Sequence, residues 1–377
     1  MTRTLGSLIA ACTFAVALSL TAAPAQAQRS DYLAKLAQYE AARAPYEREA
    51  QAYWDAVGAK RRVRMAKHRS GERIVLQDYV LTQPPVYDGP PRPVDPDAPT
   101  RPPAEREVIP TIDDFLAAAA DQFGFVPDRP RTESEFKRAY AQSASAAGLT
   151  RDQIVGVYVF ETGGNGTHDT QAGVSATRTR PISPAVGYNQ LLSTNSAAIL
   201  HSHGAHMVSM LQHKAKTLSG SQRQAMNRKI EALRRMIAYA RTVPYQWSAL
   251  DRLAKTTRGG WGLHAIVLDV DLGPFVQVQK LATSVQFAKT RRYTRTLTAA
   301  ELELMNLTGD GNGIDMVVMP QAMRERVPTA NFFQRNGYER NPVARRTAVV
   351  ANLVSDMDAK MAKGAQQPGA KELAASF

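Results

Sequence analysis

The chain has 377 residues, 44% of them hydrophobic, and a formal charge of +13 from 47 Lys plus Arg against 34 Asp plus Glu. That length exceeds the ~100–200 residues of one ordinary domain and fits a large core with accessory segments. The single cysteine, Cys12, excludes an internal disulfide and, lying within the expected leader, would leave the mature chain no thiolate for metal binding, and the excess of positive charge favours acidic polymers and anionic surfaces as partners.

Met1-Thr2-Arg3-Thr4 carries one positive charge, an apolar run extends from Leu5 to Leu20, and Ala25-Gln26-Ala27 puts small residues where a signal peptidase reads. We read 1–27 as a cleaved secretory leader. Cys12 stands before most of the apolar run rather than after it, which argues against lipid attachment. No later stretch has the length and apolarity of a membrane span, so the expected location is a bacterial periplasm, and export argues against nucleic acid as a partner.

Residues 28–80 form a helical N-terminal arm rich in Ala, Glu, Lys and Arg, with Tyr32, Tyr39, Tyr46 and Tyr53 recurring every seven positions. At helical spacing such a stripe is a packing seam through which the arm docks on an envelope or protein partner or self-associates. Pro45 predicts a break into two shorter helices. Prolines at 84, 85, 90, 91, 93, 96, 99, 102 and 103 then exclude helix and central strand, and 81–108 reads as a semi-rigid Pro-rich linker.

From Ile109 the pattern is helical, and the predicted class is mainly α. Thr111, Thr132 and Thr150 each open a helix, and further helices are expected over 193–218, 221–242, 274–288, 298–307 and 342–362. A short strand is allowed over 264–271. The domain ends near 362, and 363–377 reads as a flexible tail.

The helix opened by Thr150 is the informative one. Thr150 and Gln153 have capping-box spacing, Leu149 and Ile154 fall at the staple positions, and Gly163-Gly164 can end the helix. Ile154, Val155, Val157, Tyr158, Val159 and Phe160 make it apolar all round, which is the mark of a buried helix. Glu161 is its odd member. Burial disfavours the carboxylate, and the negative end of the helix dipole acts in the same direction, so Glu161 is the expected general acid.

Beyond the following loop stands Ser183-Pro184-Ala185-Val186-Gly187-Tyr188-Asn189-Gln190, in which Ser183-Pro184 fits a helix start. Glu161-Thr162 with Gly187-Tyr188-Asn189-Gln190 resembles the lytic transglycosylases of the lysozyme-like superfamily, where a helix-ending Glu followed by Ser or Thr precedes a Gly-x-x-Gln element on the next helix. The resemblance implies a lysozyme-like helical catalytic domain over 109–362. It also implies peptidoglycan as substrate, cleavage between N-acetylmuramic acid and N-acetylglucosamine, no cofactor, and substrate contacts at Thr162, Gly187, Tyr188 and Gln190. The family's later Tyr-Asn-x-Gly element has no plain copy here; Phe333-Gln334-Arg335-Asn336-Gly337-Tyr338 stands in its place with the residues in another order, and the resemblance adds Tyr338 to the expected contacts.

An ordinary glycosidase uses two carboxylates, and Asp169 in the loop after Glu161 is the second candidate. With Asp169 as base the protein would be a lysozyme-type muramidase; without it the 6-hydroxyl of muramic acid attacks, leaving a 1,6-anhydro end. A silent protein that only binds peptidoglycan is the third reading. No metal site is expected. His201, His203, His206 and His213 lack a carboxylate at zinc-like spacing, and Asp310-Gly311-Asn312-Gly313 lacks the flanking ligands of a calcium loop and reads as a turn. The Arg- and Lys-rich face of the helix over 221–242 reads as solvated.

Overall fold

The structure, a computed structural model, describes residues 13–98, 108–175 and 177–377, with side chains from 26 onward. The expected leader falls outside the described residues apart from the backbone of its later part, and so does the expected linker beyond residue 98. Two compact units divide the chain, 1–107 and 108–377.

In the first unit a single helix, α1, runs Thr13–Ser70 without interruption, against the predicted break at Pro45. An interior proline costs a helix about 3 kcal/mol. Contacts flank it on either side here. The Arg43 guanidinium lies 4.7 and 4.9 Å from the ring centres of Tyr46 and Tyr87, and Arg43 also pairs with Glu47 across the proline. The tyrosine stripe is a seam, and part of its partner is the unit's own Pro-rich segment, which over its described residues lies along α1 instead of standing off as the expected semi-rigid spacer. Tyr87 meets Tyr39 and Tyr46 edge-on at 6.2 and 5.3 Å, and the Tyr53 hydroxyl donates to the Thr82 carbonyl at 3.1 Å. Buried Arg64 stacks on Tyr79 at 4.4 Å and donates to the Asp78 carbonyl, while Lys67 pairs with Asp78 at 2.7 Å.

The second unit is mainly α, with only isolated β-bridges among its described residues. Helices α2 (Ile112–Phe123), α3 (Glu133–Ala146) and α4 (Arg151–Thr162) begin at Thr111, Thr132 and Thr150, each of whose side chains accepts a backbone N–H. Then follow α5 (Ser193–Thr217), α6 (Gly220–Ala240), α7 (Trp247–Thr256), α8 (Arg258–His264), α9 (Gly273–Thr290), α10 (Ala299–Thr308) and α11 (Asp310–Val317). Two short helices, α12 (Gln321–Arg324) and α13 (Arg335–Arg340), precede α14 (Pro342–Thr347) and α15 (Val350–Gly364). The helix expected over 342–362 is thus split, at Ala348 with φ +60°. Residues 265–268 form a 3₁₀ turn rather than the strand allowed by their pattern, and all four are buried. Full burial of a short apolar run does not distinguish strand from turn.

The expected flexible tail is an ordered helix, α16 (Pro368–Ala374), packed on α3 and α4. Pro368 supplies a helix start, Ala370 and Leu373 are buried, and Glu372 bonds Lys137 at 2.6 Å and also Ser134. Helix α4 therefore lies among α3, α10, α15 and α16. It approaches α10 closely: a Cβ on Gly156 would stand 2.4 Å from that of Ala299, so glycine is what lets the two helices come this near. Five residues past Gly156 is Glu161, and four past Ala299 is Glu303. That crossing brings two carboxyls together.

Candidate active site

Both ends of α4 are set by local chemistry. Thr150 Oγ1 accepts from Gln153 N, the Gln153 side chain accepts from Thr150 N at 2.9 Å, and Gly163 closes the helix in the left-handed region at φ +70°. Ile154, Val157, Tyr158 and Val159 are buried, which leaves Glu161, half-buried in the last turn, as the polar group facing a cleft of about 800 Å³. Desolvation pushes its carboxyl up to about 7, opposed by hydrogen bonds with Glu303 and Asn306 and by the charge of Lys360.

Sequence reasoning missed Glu303. It is fully buried, and first burial and then the neighbouring Glu161 hold its carboxyl well above the usual carboxylate range. Two carboxyls in hydrogen-bond contact cannot both ionise readily, so the deeper one keeps its proton and donates it to the Glu161 carboxylate. Asn306 Nδ2 donates to Glu161 Oε1 at 2.9 Å and reaches Glu303 Oε2 at 3.5 Å. Glu303 Oε1 has no hydrogen-bond partner among the described residues. The signal was present in the chain: Leu302-Glu303-Leu304-Met305 is a lone acid among apolar neighbours, the same pattern that singled out Glu161.

Gln190 lines the same cleft as Glu161, but by a different local structure from the one expected. No helix starts at Ser183-Pro184 or carries the Gly-x-x-Gln element. Residues 187–190 form a turn between the bridged Val186 and Leu191, and Gln190 itself has φ +43°. Its Nε2 donates to the carbonyls of Thr170 and Gly187 at 3.0 and 2.9 Å, so its carbonyl oxygen is the group it can offer a ligand. Gly187 is required by packing and not by a ligand. Its φ is +88°, and a Cβ there would meet the Gln277 side chain at 2.6 Å.

Three expected contacts are elsewhere. Tyr188 is fully buried, edge-on to Tyr140, Tyr158 and Phe136 with centroids 4.9 to 5.3 Å away, and its hydroxyl donates to Glu133. Tyr338 is buried in α13 against Phe333 and is not part of the cleft lining. The Thr162 hydroxyl donates to the Tyr158 carbonyl at 2.6 Å, a helix-internal bond.

Asp169 does not join Glu161 either. It pairs with Arg129 and accepts from Thr167 at 2.7 Å. Burial raises its carboxyl, but that hydrogen bond and the charges of His168 and Arg129 outweigh burial and leave it below its ordinary value. The carboxylate that does line the cleft with Glu161 is Asp310, at the start of α11, which accepts from Ser284 at 2.6 Å and lies 3.7 Å from Lys280.

The loop between α4 and α5 is fastened at several points. His168 N donates to Glu133 at 2.8 Å, the Gln171 side chain donates to the Pro110 carbonyl at 2.8 Å, and the His264 ring joins the Pro184 carbonyl at 3.0 Å to the Ser196 hydroxyl at 2.8 Å. Burial holds His264 down at about 4, so near neutral pH it is an uncharged brace. Comparison of the chain with models of known protein families, with curated proteins and with solved structures finds no match in any of the three.

Proposed function

We propose that the second unit cleaves glycosidic bonds and that the protein is an exported lytic transglycosylase of peptidoglycan, with Glu161 as acid and then base. The observation that carries this reading is the position of Glu161: the end of a buried helix, facing a cleft of about 800 Å³, with its carboxyl pushed up to about 7. Such a group is substantially protonated at neutral pH, as delivery of a proton to a leaving glycosidic oxygen requires. Glu161 protonates that oxygen as the C1–O bond breaks and an oxocarbenium-like centre forms. The muramic acid 6-hydroxyl then attacks C1 and returns a proton to Glu161, giving a 1,6-anhydro end. Glu303 is a positioning residue, whose hydroxyl steadies the carboxylate that Glu161 becomes between these steps.

The carboxyl pair favours this route over two-carboxylate hydrolysis. Retaining and inverting glycosidases hold their acids about 5 to 9.5 Å apart with the sugar between them, whereas Glu303 bonds Glu161 from behind. A hydrolytic reading survives on one observation, that Asp310 lines the cleft. Analysis of ends released from purified sacculi decides between them: anhydro-muramic ends support transglycosylation, and free reducing ends would assign water activation to Asp310. The positive charge and the expected leader fit an acidic wall polymer reached by export, and the expected envelope contact of the N-terminal arm belongs to the same picture.

A further inference from the structure

A second cavity, of about 230 Å³, is continuous with the acid cleft, because Asn195, Trp247, Lys280 and Asp310 line both. Its far wall carries Tyr245. Both aromatics are open, Trp247 56% and Tyr245 61% exposed. These values matter because burial is the ordinary fate of large aromatic side chains in a packed unit, and two exposed ones beside one cleft call for an occupant. Their positions are fixed locally. Gln246 N bonds the Pro244 carbonyl at 2.7 Å, Trp247 is the first residue of α7, and the Tyr245 ring rests 5.2 Å from that of His201.

We infer that Trp247, assisted by Tyr245, forms a stacking platform for a sugar ring of the same glycan whose bond Glu161 cleaves, extending the binding groove beyond the acid. An N-acetylhexosamine ring has one face of C–H groups and an edge of hydroxyl and acetamido groups. The indole covers the first, while Asn195, Lys280 and Asp310 stand where the second can be bonded. Continuity with the acid cleft points to another unit of that strand as the occupant. This rests on the glycan-cleaving reading above and makes the protein selective for longer strands.

The test uses the full chain carrying Glu161→Gln, so that ligand is bound and not consumed, titrated with oligomers of N-acetylglucosamine of increasing length while tryptophan emission is followed. The chain has three tryptophans, so Trp247→Phe in the same background identifies the reporter. The platform predicts an emission change that disappears in Trp247→Phe. It also predicts about tenfold weaker binding of a hexamer in Trp247→Ala, the size of one lost aromatic contact, with little change for a dimer. Equal hexamer affinity in Trp247→Ala, or an emission change that persists in Trp247→Phe, overturns the platform while leaving the cleavage reading intact. No binding of any oligomer by the parent removes both. A stem peptide competing for the emission change while the glycan does not assigns the aromatics to peptide instead.

Discussion

Glu161 and Asp169 stand eight residues apart in the chain and are the two carboxylates that a glycosidase reading would pair, yet the fold treats them in opposite ways. Glu161 ends a helix against another carboxyl and rises to about 7; Asp169 meets Arg129 and a Thr167 hydroxyl and falls below its ordinary value. Burial acts upward on both. The balance decides: at Glu161 the hydrogen bonds with Glu303 and Asn306 and the charge of Lys360 offset only part of the burial, whereas at Asp169 the Thr167 hydroxyl and the charges of His168 and Arg129 outweigh it. A cluster elsewhere in the same unit repeats the lesson: Lys229 pairs with Asp128, with Asp269 at 2.8 Å and with Asp271 at 3.2 Å, and although burial lowers its pKa, those carboxylates outweigh burial and raise it. Near Glu161 and Glu303 the charges of Lys360 and Lys280 act downward but do not overcome burial.

The sharpest way to break the contrast is to neutralise each acid in turn. Glu161→Gln should lower muropeptide release from sacculi by about 10²- to 10⁴-fold, the usual worth of a general acid, while Asp169→Asn should leave it within about twofold. Comparable losses in the two variants would return Asp169 to the chemistry.

A second effect is on stability. Because the folded carboxyl of Glu161 lies above its ordinary value of 4.5, its contribution is fully present below about 4.5 and is lost as pH rises to about 7. Thermal unfolding followed across that window should show a loss of about 3 kcal/mol that Glu161→Gln largely removes. Truncation after residue 366, which deletes α16 with its buried Ala370 and Leu373, should cost about 2–3 kcal/mol in denaturant unfolding. No loss would make that segment the tail its composition suggests.

The smallest predicted effect is the most diagnostic of the pair. Glu303→Leu removes a donor that pulls Glu161 downward, so the alkaline limb of the pH–activity profile should move to higher pH. Glu303→Gln, which keeps a donor, should leave that limb near 7. A role in packing alone would give the same limb in both variants.

The helix starts at Thr111, Thr132 and Thr150 were legible because a capping side chain acts over three residues, and so was the lone acid in an apolar helix. What the sequence concealed depends on distant segments. Pro45 is tolerated because Tyr87, more than forty residues later, packs beside it, and Pro368 opens a helix because α3 and α4 offer a surface to bury Leu373. Gly187-Tyr188-Asn189-Gln190 resembles a motif, but packing accounts for Gly187 and Tyr188, and of those two and Gln190 only Gln190 lines the cleft. Glu303 could have been found by applying to α10 the test that found Glu161. Its pairing could not, since it depends on the Gly156–Ala299 crossing.

The most direct test is a titration of the Glu161 carboxyl itself, by carbon-13 resonance of glutamate-labelled protein with Glu161→Gln supplying the assignment. The account predicts a midpoint of about 7, and a midpoint at the ordinary 4.5 would contradict it.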